Sequence, residues 1–270
     1  MVSLRSSVQA RVMALNFNHI AYEALDVCNA VSWAAVRDAV AAAGLAPGAR
    51  ALDLGTGNAA VAIGLARDFG FTVRAVERDP VMADLAARRI AAAGQGQRVE
   101  LLVQDSSEVL DRPPLPDLLT VLGATDAAAP GLRDPVAVFA RLKDAVAPGG
   151  FLLWGEPFWK AEPSAPLRQI VEITNSYQTD AGWRAAAEQA GWRVVHARHS
   201  TDGEWRTYVD AMDAAVRVWA AAHPEAPEAP RLIARADMQK AMFEAEGFRV
   251  FGFGLYLLSA LPLASRTLAT

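Results

Sequence analysis

Apolar residues fall in short blocks separated by longer amphipathic stretches. Ala51–Leu54, Thr72–Val76, Val99–Val103, Leu118–Leu122 and Phe151–Trp154 are apolar runs of strand length. Leu118–Leu122 shows no strong alternation, as expected of a strand buried on both faces. Helical patterns lie between the runs. Ser32 caps a helix to about Ala43, with Trp33, Val36 and Val40 on one face and Gly44 as the stop. A second helix follows a glycine turn to about Asp68. Asp79-Pro80 opens a third, to about Ala93, and Asp134-Pro135 opens a fourth before Pro148-Gly149-Gly150. Strands alternating with helices in this way predict a parallel, doubly wound α/β sheet.

Beyond Glu156 the pattern changes. The spacing predicts helices at about 166–177, 180–190, 203–222 and 230–245, a strand at about 193–198, and a closing strand over Arg249–Leu258. Residues 1–31 are weakly patterned. The 270 residues read as a single domain, with 1–44 as an N-terminal helical cap and 203–246 as a helical lid inserted before the last strand.

Composition narrows the function. Hydrophobic residues make up 53% of the chain, enough for a large core, yet no apolar stretch reaches the ~18–20 residues of a membrane span. No secretory apolar block follows Met1. Cys28 is the one cysteine, which excludes an internal disulfide and argues against a thiolate-rich metal site. A cytoplasmic location is expected. The net charge of -4 and the lack of a Lys/Arg run argue against nucleic acid as partner.

Three acids mark the chemistry. Asp53-Leu54-Gly55-Thr56-Gly57 is a strand end, a tight glycine turn and a helix start. Glycine there allows positive φ and close approach of backbone to a ligand, and the helix start offers unpaired N–H groups. Glu77 ends the second strand, where two carboxylate oxygens suit the two hydroxyls of a ribose. Asp105, with Ser106, follows the third strand and can accept from an adenine amine. A lone acid after a strand is usually a helix cap. Three in order, each at a carboxyl end, point to an adenosine-containing ligand. Gly55-Thr56-Gly57-Asn58-Ala59-Ala60 also fits a permissive dinucleotide fingerprint, so an NAD(P)-dependent oxidoreductase stays open. Asp53 beside a pyrophosphate counts against it, as does the extra acid Asp105.

These motifs, together with Pro116-Asp117-Leu118-Leu119 and Ala147-Pro148-Gly149-Gly150, resemble the class I S-adenosylmethionine-dependent methyltransferases over roughly residues 45–156. The resemblance implies a Rossmann-like, mostly parallel seven-stranded sheet with an antiparallel last strand. It places S-adenosylmethionine, and the product S-adenosylhomocysteine, across the glycine turn. Asp53, Gly55, Thr56, Gly57, Asn58, Glu77, Arg78, Asp105, Ser106 and Gly123 are then the expected cofactor contacts. Ala59 stands where the family usually has a third glycine, a departure that suits a helical backbone. The second half, through Trp154-Gly155-Glu156-Pro157-Phe158-Trp159 and Asp202-Gly203-Glu204-Trp205-Arg206-Thr207-Tyr208, is similar to a less characterised bacterial branch. That likeness implies fold and cofactor but no substrate.

Glu156, in a loop expected after strand five, is the first candidate to orient or deprotonate a methyl acceptor. His19 is an alternative from the N-terminal segment. Tyr22, Trp159, Tyr177, Trp205 and Tyr208 are candidate acceptor contacts. The reading is methyl transfer to a small molecule at O, N, S or C, chiefly by alignment of the reactants. A non-catalytic S-adenosylmethionine-binding protein is the other rival, and homo-oligomer formation stays open.

Overall fold

The computed structural model describes residues 15–260. Among them, seven strands form one sheet in the order β3-β2-β1-β4-β5-β7-β6. They are β1 (Arg50–Leu54), β2 (Thr72–Glu77), β3 (Val99–Val103), β4 (Leu118–Leu122), β5 (Phe151–Trp159), β6 (Trp192–His199) and β7 (Phe251–Ala260). Strands β1 to β5 pair in parallel, and β7 runs antiparallel to both β5 and β6. The order reverses at β1, with β2 on one side and β4 on the other. This is the switch point at which open α/β sheets bind ligands beyond their carboxyl ends.

The helices are α1 (Phe17–Ala21), α2 (Trp33–Ala41), α3 (Ala60–Phe69), α4 (Pro80–Ala92), α5 (Thr125–Ala128), α6 (Pro135–Lys143), α7 (Ala165–Thr174), α8 (Asp180–Gln189), α9 (Asp202–Ala222) and α10 (Ala229–Met242). Their starts follow the side-chain caps. Ser32 accepts from the Ala35 N–H, Asp79 from those of Val81 and Met82, and Asp134 from those of Val136 and Ala137, the last two with proline at the first turn. Each cap satisfies donors that the helix itself leaves free.

Two apolar layers flank the sheet. One packs α2, α3, α9 and the residues after α10 against the sheet, centred on Val36, Leu65, Trp205 and Phe251. The other packs α6 and α8, with the Trp154 ring 5.0 Å from Phe139 and 5.7 Å from Trp183. Helix α1 lies on α9, so the N-terminal segment and the long β6–β7 connection meet.

Several boundaries differ from expectation. Trp154 to Trp159 is strand, not loop: β5 pairs with β7 from Phe151 opposite Ser259 to Trp159 opposite Phe251. Pro157 is tolerated because pairing with β4 ends at Gly155. The Trp159 N–H, which shares its strand side, donates to Gln178 O rather than to β7, so no ladder bond is lost at Pro157. Helix α7 stops at Thr174 because Asn175 turns extended, and 175–179 become a connecting strap. The last helix runs on through a π-turn at Phe243–Gly247 and a short turn at Phe248–Val250, which delays β7 to Phe251. Ala59 has φ 61° and ψ 13°, left-handed rather than helical. An L-residue there costs roughly 1–2 kcal/mol, which a glycine would avoid.

Candidate active site

One cavity of about 400 Å³ opens at the carboxyl ends of β1, β2, β4 and β5. The turn after β1 forms its floor. Gly55 has φ 64°, and a Cβ on it would lie 2.7 Å from Ala124 Cβ. Only glycine brings the β1 turn this close to the β4 turn. Gly123 has φ 63° and lies under Asn29, whose Oδ1 a Cβ would meet at 2.5 Å. The Asn29 amide donates to Leu122 O at 3.1 Å, so the N-terminal segment is tied to the end of β4.

Asp53 is buried at the base of the turn. Its two oxygens each accept a threonine hydroxyl at 2.5 Å, Oδ2 from Thr56 and Oδ1 from Thr120 on β4. Burial pushes its carboxyl up to about 6, against the pull of both hydroxyls. Glu77 is oriented by backbone: Oε2 accepts from the Gly57 N–H at 3.0 Å and Oε1 from the Asp79 N–H at 2.9 Å. Each carboxylate oxygen has a second acceptor site, so these bonds leave capacity for a diol.

Asn58 lines the cavity, but its amide is spent on protein. It donates to the carbonyls of Tyr22, Leu25 and Asp26, while its Oδ1 caps the Ala60 N–H. His19 also lines the cavity. Its Nδ1 accepts from the Asn16 N–H at 3.3 Å, and Nε2 lies 2.8 Å from Asp79 Oδ2. With Nδ1 accepting, Nε2 carries the proton and donates to the carboxylate. Burial raises the Asp79 carboxyl, but His19 and the amides of Met82 and Val81 outweigh it and hold the group low. Asn58 and His19 therefore fasten the N-terminal segment across the glycine turn.

Glu156 lines the far end from β5 and is 7% exposed. Its Oε1 accepts both the hydroxyl and the N–H of Thr125. Burial pushes the carboxyl up to about 7, the Thr125 bonds acting the other way and Asp126 adding to the rise. Tyr22 and Tyr177 stand on the cavity wall. Cys28 is there too, its thiol pushed up to about 12 by burial and so un-ionised at neutral pH.

The remaining expected contacts, Arg78 apart, do not line this cavity. Arg78 lines the cavity mouth, with Nη1 3.8 Å from Asp105 Oδ2. Asp105 is spent on the N–H and hydroxyl of Ser107, and neither it nor the buried Ser106 lines the cavity as it stands. Trp159 and Trp205 both stack on Phe251, at 5.3 and 6.3 Å, inside the core. Tyr208 packs edge-on to Trp205 and against Tyr22, one layer behind the wall. Sequence reasoning missed Thr120, Thr125 and the cavity role of Asp79 and Met82. A threonine in a strand or a turn carries no signal until its partner strand is known.

The comparisons fit this geometry. Residues 51–150 match the family model of a methyltransferase domain. The chain is 27% identical to the uncharacterised protein YjhP of Escherichia coli K12 over 217 residues, 79% of this chain and 86% of that protein. Two solved structures, S-adenosylmethionine-dependent methyltransferases of Geobacter sulfurreducens and Thiobacillus denitrificans in complex with S-adenosylhomocysteine, superpose with a TM-score of 0.81 each. They are 23% and 24% identical and match 92% of this chain, and 98% and 99% of their own. The chain shares the fold of those S-adenosylmethionine-dependent methyltransferases over 92% of its length.

The residues present fit that cofactor. The turn that only glycine can make, the buried acid Asp53 beneath it and the backbone-fixed Glu77 offer a flat cradle, a partner for an ammonium and a partner for a ribose. Among the described residues no group of three or more His, Cys, Asp or Glu is arranged to hold a metal ion, and no helix is long and apolar enough to cross a membrane.

Proposed function

We propose that the protein transfers a methyl group from S-adenosylmethionine to a small-molecule acceptor held between the glycine turn and Glu156. The observation that carries this reading is continuity. Gly55 abuts Ala124, Thr125 follows it, and Thr125 holds Glu156, so the cofactor cradle and the buried acid share one cavity wall. The cofactor supplies an electrophilic methyl on a sulfonium centre. Asp53 balances the ammonium of its amino-acid end, and Glu77 takes the ribose hydroxyls. Glu156 orients the acceptor and receives its proton. Asn58 and His19, with α1 and α9 behind them, close the site and exclude water. Alignment of the two reactants supplies most of the acceleration, about 7–11 kcal/mol where geometry is good.

A small acceptor suits a cavity roofed by the N-terminal segment and residues 174–177 at the end of α7 and the start of the strap. The buried Asp53 disfavours a pyrophosphate at the turn and so the oxidoreductase alternative. The test is methyl-labelled donor incubated with the protein and a bacterial metabolite extract, read by mass spectrometry. One labelled small product, lost in Glu77→Ala, supports the reading. NAD(P) binding without S-adenosylhomocysteine binding refutes it.

A further inference from the structure

We propose that the methyl acceptor is an amine that enters as its ammonium ion and gives its proton to Glu156 Oε2. The inference rests on the S-adenosylmethionine reading above and names its substrate class. Three observations carry it. First, Thr125 saturates Oε1 from two directions, while no group among the described residues donates to Oε2, although the side chain lines the cavity. Second, the acid has no counter-ion. No Lys, Arg or His among the described residues forms an ion pair with it, and the charge that acts on it is Asp126, of the same sign. The cations of the cavity are engaged elsewhere: Arg78 faces Asp105, Arg133 donates to the carbonyls of Glu172 and Ile173, and His19 holds Asp79. A desolvated carboxylate without a partner selects a cationic guest. Third, Tyr177 stands on the same wall close enough for Glu156 to raise its hydroxyl pKa, and aromatic faces attract ammonium ions.

The proton count favours an amine. The ammonium and the Glu156 carboxylate exchange one proton and become a free amine and a neutral carboxyl, which removes two charges from a dry site. The nitrogen lone pair then forms the N–C bond as the S–C bond breaks, and that electron pair stays on sulfur. The products are a methylated ammonium and a neutral thioether, and Glu156 later returns its proton to solvent. A thiol ionises near ~8.5 without such help. A carboxylate acceptor would face Glu156 and Asp126 as like charges. Burial places the Glu156 carboxyl near 7, within a few pH units of an aliphatic ammonium, the range in which proton transfer is efficient.

The test uses the full chain in two arms. S-adenosylhomocysteine binding is measured by calorimetry, and labelled product from a metabolite extract is identified by mass spectrometry. An N-methylated product supports the assignment. With S-adenosylhomocysteine bound, an O-, S- or C-methylated product, or no labelled product, overturns it. Loss of S-adenosylhomocysteine binding overturns the cofactor reading beneath it instead. The variant Glu156→Gln then separates proton acceptance from shape. Wild-type kcat/KM should rise through about pH 7 and level off; the other titratable or charged groups on the cavity are Asp53, Glu77, Asp79, Asp126, His19, Tyr22, Tyr177, Cys28, Arg78 and Arg133. In Glu156→Gln it should fall at least ~100-fold at pH 7 and keep climbing toward pH 9 with the free-amine fraction. An unchanged profile in the variant overturns the role.

Discussion

Thr120 bonds Asp53 from a neighbouring strand and shows how one side chain sets another's charge. Its hydroxyl is one of two that hold the buried carboxylate in its ionised form. A hydrogen bond to a charged group is worth about 1.5–3 kcal/mol. Thr120→Val should therefore raise the Asp53 pKa further above 6, and S-adenosylhomocysteine affinity at pH 7 should fall about tenfold. Thr120→Ser should restore it. Calorimetry on the two variants checks this, and equal affinity in Thr120→Val would remove Asp53 from the cofactor's ammonium. Glu156→Gln makes the complementary case: S-adenosylhomocysteine should bind as in wild type while turnover drops roughly 10²–10⁴-fold. Asp53 and Glu77 stand out in the sequence because each ends an apolar run. Thr120 and Thr125 do not, because their significance lies in partners 67 and 31 residues away.

The decisive elements are the glycine turn and the N-terminal segment that crosses it. Three carbonyls of residues 22–26 converge on the Asn58 amide, and α1 is pinned to the cap of α4 through His19 and Asp79. Asn58→Ala leaves those carbonyls without a donor. It should lower stability by about 2 kcal/mol, visible in the denaturant midpoint, and weaken S-adenosylhomocysteine severalfold. Unchanged affinity would mean that the N-terminal segment is not part of the closed site. Helix α9 is more than a cover, since Trp205 and Val209 belong to the main core. Helix starts were legible because Ser32, Asp79-Pro80 and Asp134-Pro135 carry their signal within three residues. The length of β5 was not. Pro157 reads locally as a break, and only the absence of β4 beside it makes the strand continuous.

At the scale of the molecule, two buried acids trade stability for a charged site. Asp53 and Glu156 have native pKa values of about 6 and about 7, above their ordinary 3.8 and 4.5. The folded state then binds more protons than the unfolded chain between about pH 4 and 7, so their share of stability falls as pH rises through that window. For Glu156 the shift corresponds to at most roughly 3 kcal/mol. Glu156→Gln should melt higher than wild type at pH 8 and show no such gain at pH 4.5. The opposite pattern would mean that Glu156 is ionised and paired in the native protein. Asp79 and Asp180, held low by their partners, work the other way in a lower window: their share of stability is full above about pH 4 and is lost as pH falls below it.

The most direct measurement is calorimetric titration of the full chain with S-adenosylhomocysteine and, separately, with NAD+ and NADP+. One saturable site for S-adenosylhomocysteine is predicted, weakened at least tenfold in Glu77→Ala, with no heat from either dinucleotide. A chain that binds a dinucleotide, or that gives no S-adenosylhomocysteine heat, would contradict the cofactor site built on Asp53, Gly55 and Glu77.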